Sequence, residues 1–568
     1  MSRKSLRSES LVHAVPAAVF ALCCAPAALA QLQPPPQPNG NPLTPAKARL
    51  GKVLFWDEQL SSTRTVACGT CHIPAVGGED PRSGVDPLAV HPGPDGTFET
   101  ADDIFGSLGV PLNHADGLYD WSDDFGLMPQ VTRRRTTSAI NAGYSPELFW
   151  DGRAPGGFTD PVSGTPVPDL QIGAALESQS VGPPVSDVEM ADVARAWTDV
   201  LARIAASEPL ALAPDAPGAL LIWIAGRGYA ELFEDAFGSP GITAPRVAMA
   251  IASYERTQFT NQTPFDQFLQ NGTGLTSQEV AGRGVFAGDA KCDTCHQFEI
   301  MTDHDYHFIG VRPRSDDQGR MEVTGQPDDE GKMRTPSLRN AGLRAPYMHN
   351  GRLATLTEVI DFYDRGGDFP DPDIEIEPLG LGAQQKADLL AFLTRPLTDP
   401  RLAAGAPPFD RPTLYTESSR VPVVEGAGLP GTGGFIPAVV ALEPPLIGNP
   451  SFTVGVFAGL GDADALLVID DQDPGGTTPG PSGDELAFEM TTLQGAGAGN
   501  GFGSVTIEIP NDPAIEGKEW FGRWYVDTGG GSPAAVSRVF RFRTFSNAAI
   551  FADGFEAGNT ARWTATTP

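Results

Sequence analysis

The sequence predicts a multidomain chain, mainly α-helical over about its first 400 residues and all β beyond them. Three observations support this prediction. A short cysteine–histidine motif occurs twice with similar flanking segments, amphipathic helix patterns surround both copies, and alternating strand patterns begin beyond Pro400. A chain of 568 residues, at about 150 residues per domain, has room for three or four domains with cores of their own.

The composition excludes several kinds of partner. Lys and Arg number 39 against 71 Asp and Glu, which gives a formal net charge of -32. Nucleic acids and anionic membranes both require a basic surface, so we expect neither as a partner. If the protein has a protein partner, we expect that partner to be basic.

The first 30 residues are typical of a secretory signal peptide. A basic start precedes a long apolar run, and Ala28-Leu29-Ala30 offers a cleavage site after Ala30. The alternatives are a membrane anchor and lipidation at Cys23 or Cys24. We therefore predict a periplasmic or secreted protein that has no integral membrane segment after cleavage.

Every cysteine that remains after this cleavage belongs to one of two motifs, Cys68-x-x-Cys71-His72 and Cys292-x-x-Cys295-His296. C-x-x-C-H is the attachment pattern for c-type haem, in which both thiols form thioethers and the adjacent histidine binds the iron. A redox dithiol and a zinc site made from all four cysteines are the alternatives. Two such motifs in an exported chain predict two covalent haems.

The segments around the two motifs repeat in register. Residues 51–55 resemble 282–286, residues 135–143 resemble 334–342, and residues 150–153 resemble 349–352. A repeat of this length indicates duplicated domains rather than a solenoid. We therefore predict two mainly α cytochrome c-like haem domains, over residues 31–270 and 271–400.

Helix signals fit this division. Capping boxes at Thr276 and Thr355 each start a helix, and Gly366 ends the second one. An apolar stripe over residues 187–207 predicts a longer helix, with Glu189 in its first turn.

Beyond Pro400 the chain changes character. Residues 401–430 are rich in Pro, Gly and Ala and predict a linker. Short alternating runs between Gly- and Pro-rich turns then predict an all-β, sandwich-like accessory domain over residues 431–546. Residues 547–568 form a tail for which the sequence indicates no role.

The motifs resemble those of the bacterial di-haem cytochrome c peroxidase family, which includes the MauG-type enzymes. The resemblance covers about residues 45–400 and is carried by both C-x-x-C-H motifs together with residues 149–153, 176–179, 182–183, 189–190, 345–351 and 355–367. It implies a peroxidatic N-terminal haem and a C-terminal haem that relays or stores electrons. It also implies reduction of hydrogen peroxide with electrons from a small protein such as cytochrome c or a cupredoxin.

The resemblance also implies roles for single residues of the N-terminal domain. Glu189 resembles the distal acid/base, Gln179 its polar neighbour, and Trp150 the tryptophan between the two haems. A carboxylate suits the first role because heterolysis of peroxide moves a proton from the inner to the outer oxygen. The alternatives are a glutamate that stabilises a helix start and an ordinary buried tryptophan.

A calcium ion between the two domains is a further implication of the resemblance. Asn141 resembles its side-chain ligand, and the main-chain carbonyls of Arg344 and Pro346 would complete the site. Oxygen ligands of mixed origin suit calcium. The family often has Thr where this chain has Arg344.

In some peroxidases of the family, the distal ligand of the second haem is a Met, whereas this chain has Tyr363 at that position. Tyrosine at this position resembles the MauG-type arrangement, and its oxygen favours higher iron oxidation states than a thioether does. A core tyrosine, with Met348 as the ligand instead, is the alternative. Two other functions therefore stay open: a MauG-like oxidase acting on a protein or organic substrate, and a non-enzymatic di-haem electron carrier.

Two insertions also depart from the family, at residues 73–132 and 154–174. The first contains His91 and His114. A loop histidine caps the peroxidatic iron in many peroxidases of the family, and either residue resembles it. The alternative is that both are surface loop histidines.

Overall fold

The computed structural model describes residues 32–529 and 534–546. The predicted signal peptide, its cleavage site after Ala30 and the predicted tail lie outside the described residues. Among the residues described, no helix has the length and apolar character needed to cross a membrane.

Helices dominate the chain up to residue 404 and strands dominate the rest. The α-helices are α1 Pro45–Trp56, α2 Cys68–Cys71, α3 Ala175–Ser180, α4 Trp197–Ala206, α5 Gly218–Ile224, α6 Tyr229–Phe237, α7 Ala244–Glu255, α8 Pro264–Asn271, α9 Ser277–Ala287, α10 Met321–Thr324, α11 Leu356–Arg365, α12 Ala383–Leu393 and α13 Pro400–Ala404. The strands are β1 Tyr306–His307, β2 Met333–Arg334, β3 Val423–Glu425, β4 Ala438–Ala441, β5 Phe452–Leu460, β6 Asp464–Asp470, β7 Ala487–Thr492, β8 Ala498–Ile507, β9 Glu519–Val526, β10 Ala535–Val536 and β11 Val539–Arg543.

The two predicted haem domains are built around the same helix crossing. In the first, α1 packs on α7, and a Cβ added to Gly51 would lie 1.8 Å from the carbonyl oxygen of Ala250. In the second, α9 packs on α12, and a Cβ added to Gly282 would lie 1.9 Å from the carbonyl oxygen of Asp388. The two glycines occupy the same place in the sequence repeat because each lets two helix backbones touch.

The helix starts at Thr276 and Thr355 have the predicted capping boxes, and Gly366 ends α11 in the left-handed conformation. The helix predicted over residues 187–207 is wrong in its first half. Ala194 has a φ of 65°, which interrupts the pattern, and α4 begins only at Trp197. Glu189 therefore lies in a turn and not in the first turn of a helix.

The C-terminal strands form two antiparallel sheets. One has the order β3-β11-β9-β6-β7, with β10 paired to β9, and the other has the order β4-β5-β8. Phe452 and Val454 of the smaller sheet share one buried core with Leu467 and Trp524 of the larger sheet. The two sheets therefore pack face to face, as the alternating pattern predicts.

Residues 401–430 are not a linker. Leu402, Phe409 and Tyr415 are buried, and the backbone N–H of Tyr415 donates to the Glu58 carboxylate of the N-terminal domain at 2.5 Å. This segment also supplies β3 to the larger sheet. The Pro and Gly residues form turns between buried apolar residues. The segment is therefore packed, although its composition is typical of a linker.

Candidate haem sites and the contact between them

The first C-x-x-C-H motif lies at a cavity of about 360 Å³ in the N-terminal domain. Cys68 and Cys71 belong to the single turn of α2, His72 follows it, and all three line the cavity. Nδ1 of His72 lies 3.1 Å from the carbonyl oxygen of Gly78. A carbonyl only accepts, so Nδ1 carries the proton and Nε2 is left as a metal ligand.

The second motif repeats this arrangement at a cavity of about 530 Å³. Cys292, Cys295 and His296 line it, and Nδ1 of His296 lies 3.0 Å from the carbonyl oxygen of Met301. Both volumes fall within the range of about 300–1,000 Å³ that is usual for cofactor sites.

The two alternatives to haem do not fit these cavities. The cysteines of the two motifs line separate cavities, and in the part of the chain described the side chains close enough to share a metal ion include a single cysteine, Cys295. A zinc site with four cysteines is therefore excluded. Burial raises the pKa of the Cys68 and Cys292 thiols to about 12, whereas a redox dithiol needs a lowered pKa. The residues fit two covalent haems.

Glu189 and Gln179 both line the first cavity, Gln179 from the last turn of α3. Burial raises the pKa of Glu189, and the Arg153 guanidinium opposes this shift. Arg153 also lines the cavity, lies 3.6 Å from the ring centroid of Phe149 and pairs with Asp151 at 3.0 Å. Arg153 belongs to the repeated segment at residues 150–153, but its place beside Glu189 is visible only in the folded chain.

The other carboxyl groups on this cavity are less able to exchange protons. Asp151 accepts from Arg134 at 2.5 Å and pairs with Arg153, and Glu322 pairs with Arg134 at 3.1 Å. Burial raises the pKa of Glu255 to about 8, so this group is protonated at neutral pH. Glu189 is therefore the carboxyl group of the cavity that is best suited to accept a proton.

The two histidines of the first insertion lie elsewhere. Neither His91 nor His114 lines the first cavity in this structure. The His91 backbone forms an isolated bridge with Ile104, and His114 pairs with Asp120 at 3.1 Å on the surface. The His114 contact fits the alternative of a surface loop histidine, whereas the ring of His91 is half-buried and lies 5.9 Å from the ring of Phe125.

Both residues considered as distal ligand in the second domain line the second cavity. Tyr363 comes from α11, and Met348 comes from the loop before it. Burial raises the pKa of Tyr363 above the ordinary value of a phenol. Tyr363 and the proximal His296 therefore share one cavity, as the MauG-type reading requires.

Trp150 lines both cavities, and the repeated loops meet around it. The backbone N–H of Arg334 donates to the carbonyl of Trp150, and the N–H of Arg135 donates to the carbonyl of His349, both at 2.7 Å. Trp150 and His349 occupy the same place in the repeat, and their ring centroids are 6.2 Å apart. Each of the two repeated loops thus contacts the other in the same way. The sequence of either loop alone does not indicate this contact.

The calcium ion predicted between Asn141, Arg344 and Pro346 does not fit this structure. The carbonyl oxygen of Arg344 accepts from the Arg135 guanidinium at 2.8 Å, and Oδ1 of Asn141 accepts from the backbone N–H of Thr260 at 2.9 Å. A guanidinium beside the Arg344 carbonyl repels a divalent cation there.

A buried ion-pair cluster joins the domains instead. Glu79 pairs with Arg135 on one side and, at 3.3 Å, with Arg344 on the other. The three side chains are 6, 4 and 8% exposed, and all three line the second cavity. The Glu79 carboxylate lies between two guanidinium groups, so each buried charge has an opposite charge beside it. This differs from an isolated buried charge.

The sequence has relatives among known di-haem proteins. The family model for the di-haem cytochrome c peroxidases matches residues 45–274. The methylamine utilization protein MauG of Methylorubrum extorquens is 29% identical over 63% of this chain and 80% of its own length. The cytochrome-c peroxidase IdrP1 of Pseudomonas sp. strain SCT is 28% identical over 69% of this chain and 90% of its own length. The crystal structure of a MauG-like protein associated with microbial copper homeostasis is 26% identical, with a TM-score of 0.44 over 67% of this chain and 96% of that one.

Two cavities with C-x-x-C-H motifs on duplicated helical domains define a di-haem c-type cytochrome. The matched segment, residues 45–274, is a di-haem cytochrome c peroxidase domain, and over most of its length the chain is similar to the cytochrome c peroxidases and MauG proteins. It is a di-haem peroxidase, an oxidoreductase.

Proposed function

We propose that this enzyme is exported and reduces hydrogen peroxide with electrons from a small basic redox protein. The observation that carries the proposal is the first cavity, in which Glu189 and Gln179 share one space with His72. An electron carrier has no need of a proton-transfer group in a haem cavity, whereas a peroxidase does.

A c-type haem held by Cys68, Cys71 and His72 would supply the redox-active iron of this cavity. Glu189 takes the proton from the inner peroxide oxygen and returns it to the outer oxygen, which leaves as water. Gln179 orients the peroxide by hydrogen bonding. Complete reduction consumes two electrons and two protons for each peroxide and yields two waters.

The second domain supports a path for the electrons. Cys292, Cys295 and His296 would hold its haem, and Trp150 lines both cavities and so lies on a direct route between them. Because the Trp150 side chain joins the two sites, an electron passes between them without crossing water.

The surface near the second cavity supports a basic donor. The segment 368–377 is acidic, and its Glu375 and Glu377 line the cavity. The side chains of Asp373 and Glu377 are 79 and 69% exposed, although Arg314 and Lys291 pair with them. Together with the net charge of -32 on the chain, exposed carboxylates of this kind attract a basic protein and accelerate its encounter, most strongly at low ionic strength.

Export is supported by the sequence of the first 30 residues together with the use of every remaining cysteine in haem attachment. We propose a periplasmic or secreted location on these grounds.

A MauG-like oxidase acting on a protein or organic substrate is the second candidate, and Tyr363 favours it. The deciding experiment mixes the enzyme with hydrogen peroxide in a stopped-flow spectrometer, with and without reduced cytochrome c. A peroxidase oxidises two equivalents of cytochrome c per peroxide. A MauG-like oxidase consumes peroxide, keeps the oxidised spectrum for many seconds and leaves cytochrome c reduced. An electron carrier shows no reaction with peroxide.

A further inference from the structure

We propose that the C-terminal β domain positions Glu189, and that it acts through the first insertion (residues 73–132). This inference rests on the proposed role of Glu189 and extends it to a domain that the sequence presents only as an accessory. Glu189 lies in a loop, residues 186–193, that we call the Glu189 loop.

The insertion holds the Glu189 loop on both sides of the glutamate. Nε2 of Gln130 donates to the carbonyl oxygen of Asp187 at 2.8 Å. The backbone N–H of Val193 donates to the carbonyl oxygen of Asn113 at 2.9 Å. The first contact lies two residues before Glu189 and the second lies four residues after it.

A third contact lies next to the glutamate itself. A Cβ added to Gly109 would lie 1.8 Å from the carbonyl oxygen of Val188 and 2.9 Å from Cα of Glu189. The backbone of the insertion therefore touches the backbone of the loop, with no side chain between them. Gly109 is in turn fixed by a hydrogen bond from its N–H to the carbonyl of Gln130, at 2.9 Å.

The loop needs such support because it forms no regular helix. Its internal hydrogen bonds are turn contacts in which the N–H groups of Glu189, Met190 and Ala191 all reach the carbonyl of Ser186. One carbonyl cannot hold three donors strongly, so the orientation of the Glu189 side chain depends on neighbouring elements.

The same insertion is anchored on the β domain by polar contacts. The backbone N–H of Tyr119 donates to Oγ of Ser504 at 2.9 Å, and the Tyr119 hydroxyl donates to the Glu443 carboxylate at 3.0 Å. Oγ1 of Thr453 donates to the carbonyl of Gly117 at 2.9 Å. The insertion thus meets both β5 and β8, two of the three strands of the smaller sheet.

Apolar contacts complete the anchor. Tyr119 and Leu127 are buried against Val440 of β4, and the rings of Trp121 and Phe502 lie 4.8 Å apart. Burial of a leucine and an aromatic side chain removes apolar surface from water and so stabilises this contact.

One short hairpin connects the two sets of contacts. Asn113, which holds the loop, pairs with Tyr119, which lies on the β domain. Leu127 on the β domain is three residues from Gln130, which holds the loop. A change at the face of the smaller sheet can therefore reach the Glu189 loop through a few residues.

The test uses the full-length holoenzyme with Leu127→Ala, and with Gln130→Ala at the other end of the chain of contacts. We expect kcat/KM for peroxide to fall by about 10- to 100-fold in both, as for a small displacement of a catalytic group. We expect both haem spectra and the haem content to stay unchanged. Leu127→Met keeps the volume of the side chain and should restore the activity.

The matched control is Leu467→Ala, which truncates a buried leucine of the same β domain that belongs to its inner core rather than to the contact with the insertion. It should leave kcat/KM for peroxide within about threefold of the wild type, since it changes stability without displacing the loop.

A second readout is independent of catalysis. Hydrogen–deuterium exchange followed by mass spectrometry should show faster exchange over residues 186–193 in Leu127→Ala and Gln130→Ala, and no change there in Leu467→Ala. Unchanged exchange and unchanged kcat/KM in both insertion variants would overturn the positioning role. If Leu127→Ala does not fold, Gln130→Ala and Ser504→Ala decide by the same two measurements. Faster exchange with unchanged kcat/KM would also overturn the positioning role, and Glu189→Gln then tests the catalytic role of Glu189 separately.

Discussion

Replacing Glu189 with glutamine keeps the size and the hydrogen-bonding shape of the side chain and removes its ability to ionise. If Glu189 moves the peroxide proton, turnover should fall by about 10²–10⁴-fold, the usual loss for an acid/base group. That loss corresponds to about 2.7–5.4 kcal/mol of activation free energy.

The structure places the expected loss towards the upper part of this range because the cavity offers no good substitute. Asp151 and Glu322 are engaged by arginines, and Glu255, with a pKa raised to about 8, is protonated at neutral pH. The matched control, compared at pH 7 and below, is therefore Glu255→Gln, which there replaces a group that is already neutral with another neutral one. We expect it to change turnover by less than about tenfold.

The pH dependence adds a second check. Burial raises the pKa of Glu189, and its carboxylate form is the one that accepts a proton. Turnover should therefore be full above this raised pKa and should be lost as the pH falls through it. The acid limb of the pH–rate profile should be absent in Glu189→Gln.

The assay is stopped-flow oxidation of reduced cytochrome c by peroxide, from pH 5 to pH 9, after absorption spectra show that both haems are retained. Turnover of Glu189→Gln within about tenfold of the wild type, with the acid limb still present, would refute the proton-transfer role.

Three further predictions follow from the same sites. Arg153→Gln removes the cation that opposes the raised pKa of Glu189, so the acid limb of the pH–rate profile should move to higher pH; an unmoved limb would contradict this. Tyr363→Phe should change the electron paramagnetic resonance signal of the second ferric haem, and Tyr363→Met should raise its reduction potential; unchanged spectra would make Met348 the candidate ligand. Treatment with EGTA should leave activity intact, and loss of activity would favour the predicted calcium site. Glu79→Gln leaves two buried cations unpaired and should lower the free energy of unfolding by about 3–5 kcal/mol, measured with denaturant.

Much of the architecture follows from local patterns in the sequence. Haem attachment is encoded within five consecutive residues, because the thiols and the proximal histidine must lie on one turn. Capping at Thr276 and Thr355 is decided by residues three positions apart, and the strands of the β domain by alternation along each strand. The repeat in register also predicts that two similar domains exist.

The sequence could not predict features that depend on contacts between distant segments. The Pro- and Gly-rich composition of residues 401–430 predicts a linker, but the site where Tyr415 binds Glu58 lies more than 350 residues away. The helix predicted at residues 187–207 begins only at Trp197, and the Glu189 loop that precedes it is bonded to Gln130 and Asn113, which lie more than 50 residues earlier in the chain. The sequence gives no sign that Arg135 and Arg344 are neighbours, and only the fold places Glu79 between them.

The sequence by itself determined where the haems attach, that the haem domain is duplicated, and which carboxylate and which tyrosine are the candidates for chemistry. Only the tertiary structure decided what surrounds those groups. It placed Trp150 on both cavities, bonded the Arg135 guanidinium to a carbonyl oxygen that was predicted to bind calcium, and connected the β domain to the Glu189 loop through the insertion. The physical reason is that local conformation depends on neighbours in the chain, whereas charge compensation, burial and positioning depend on neighbours in space.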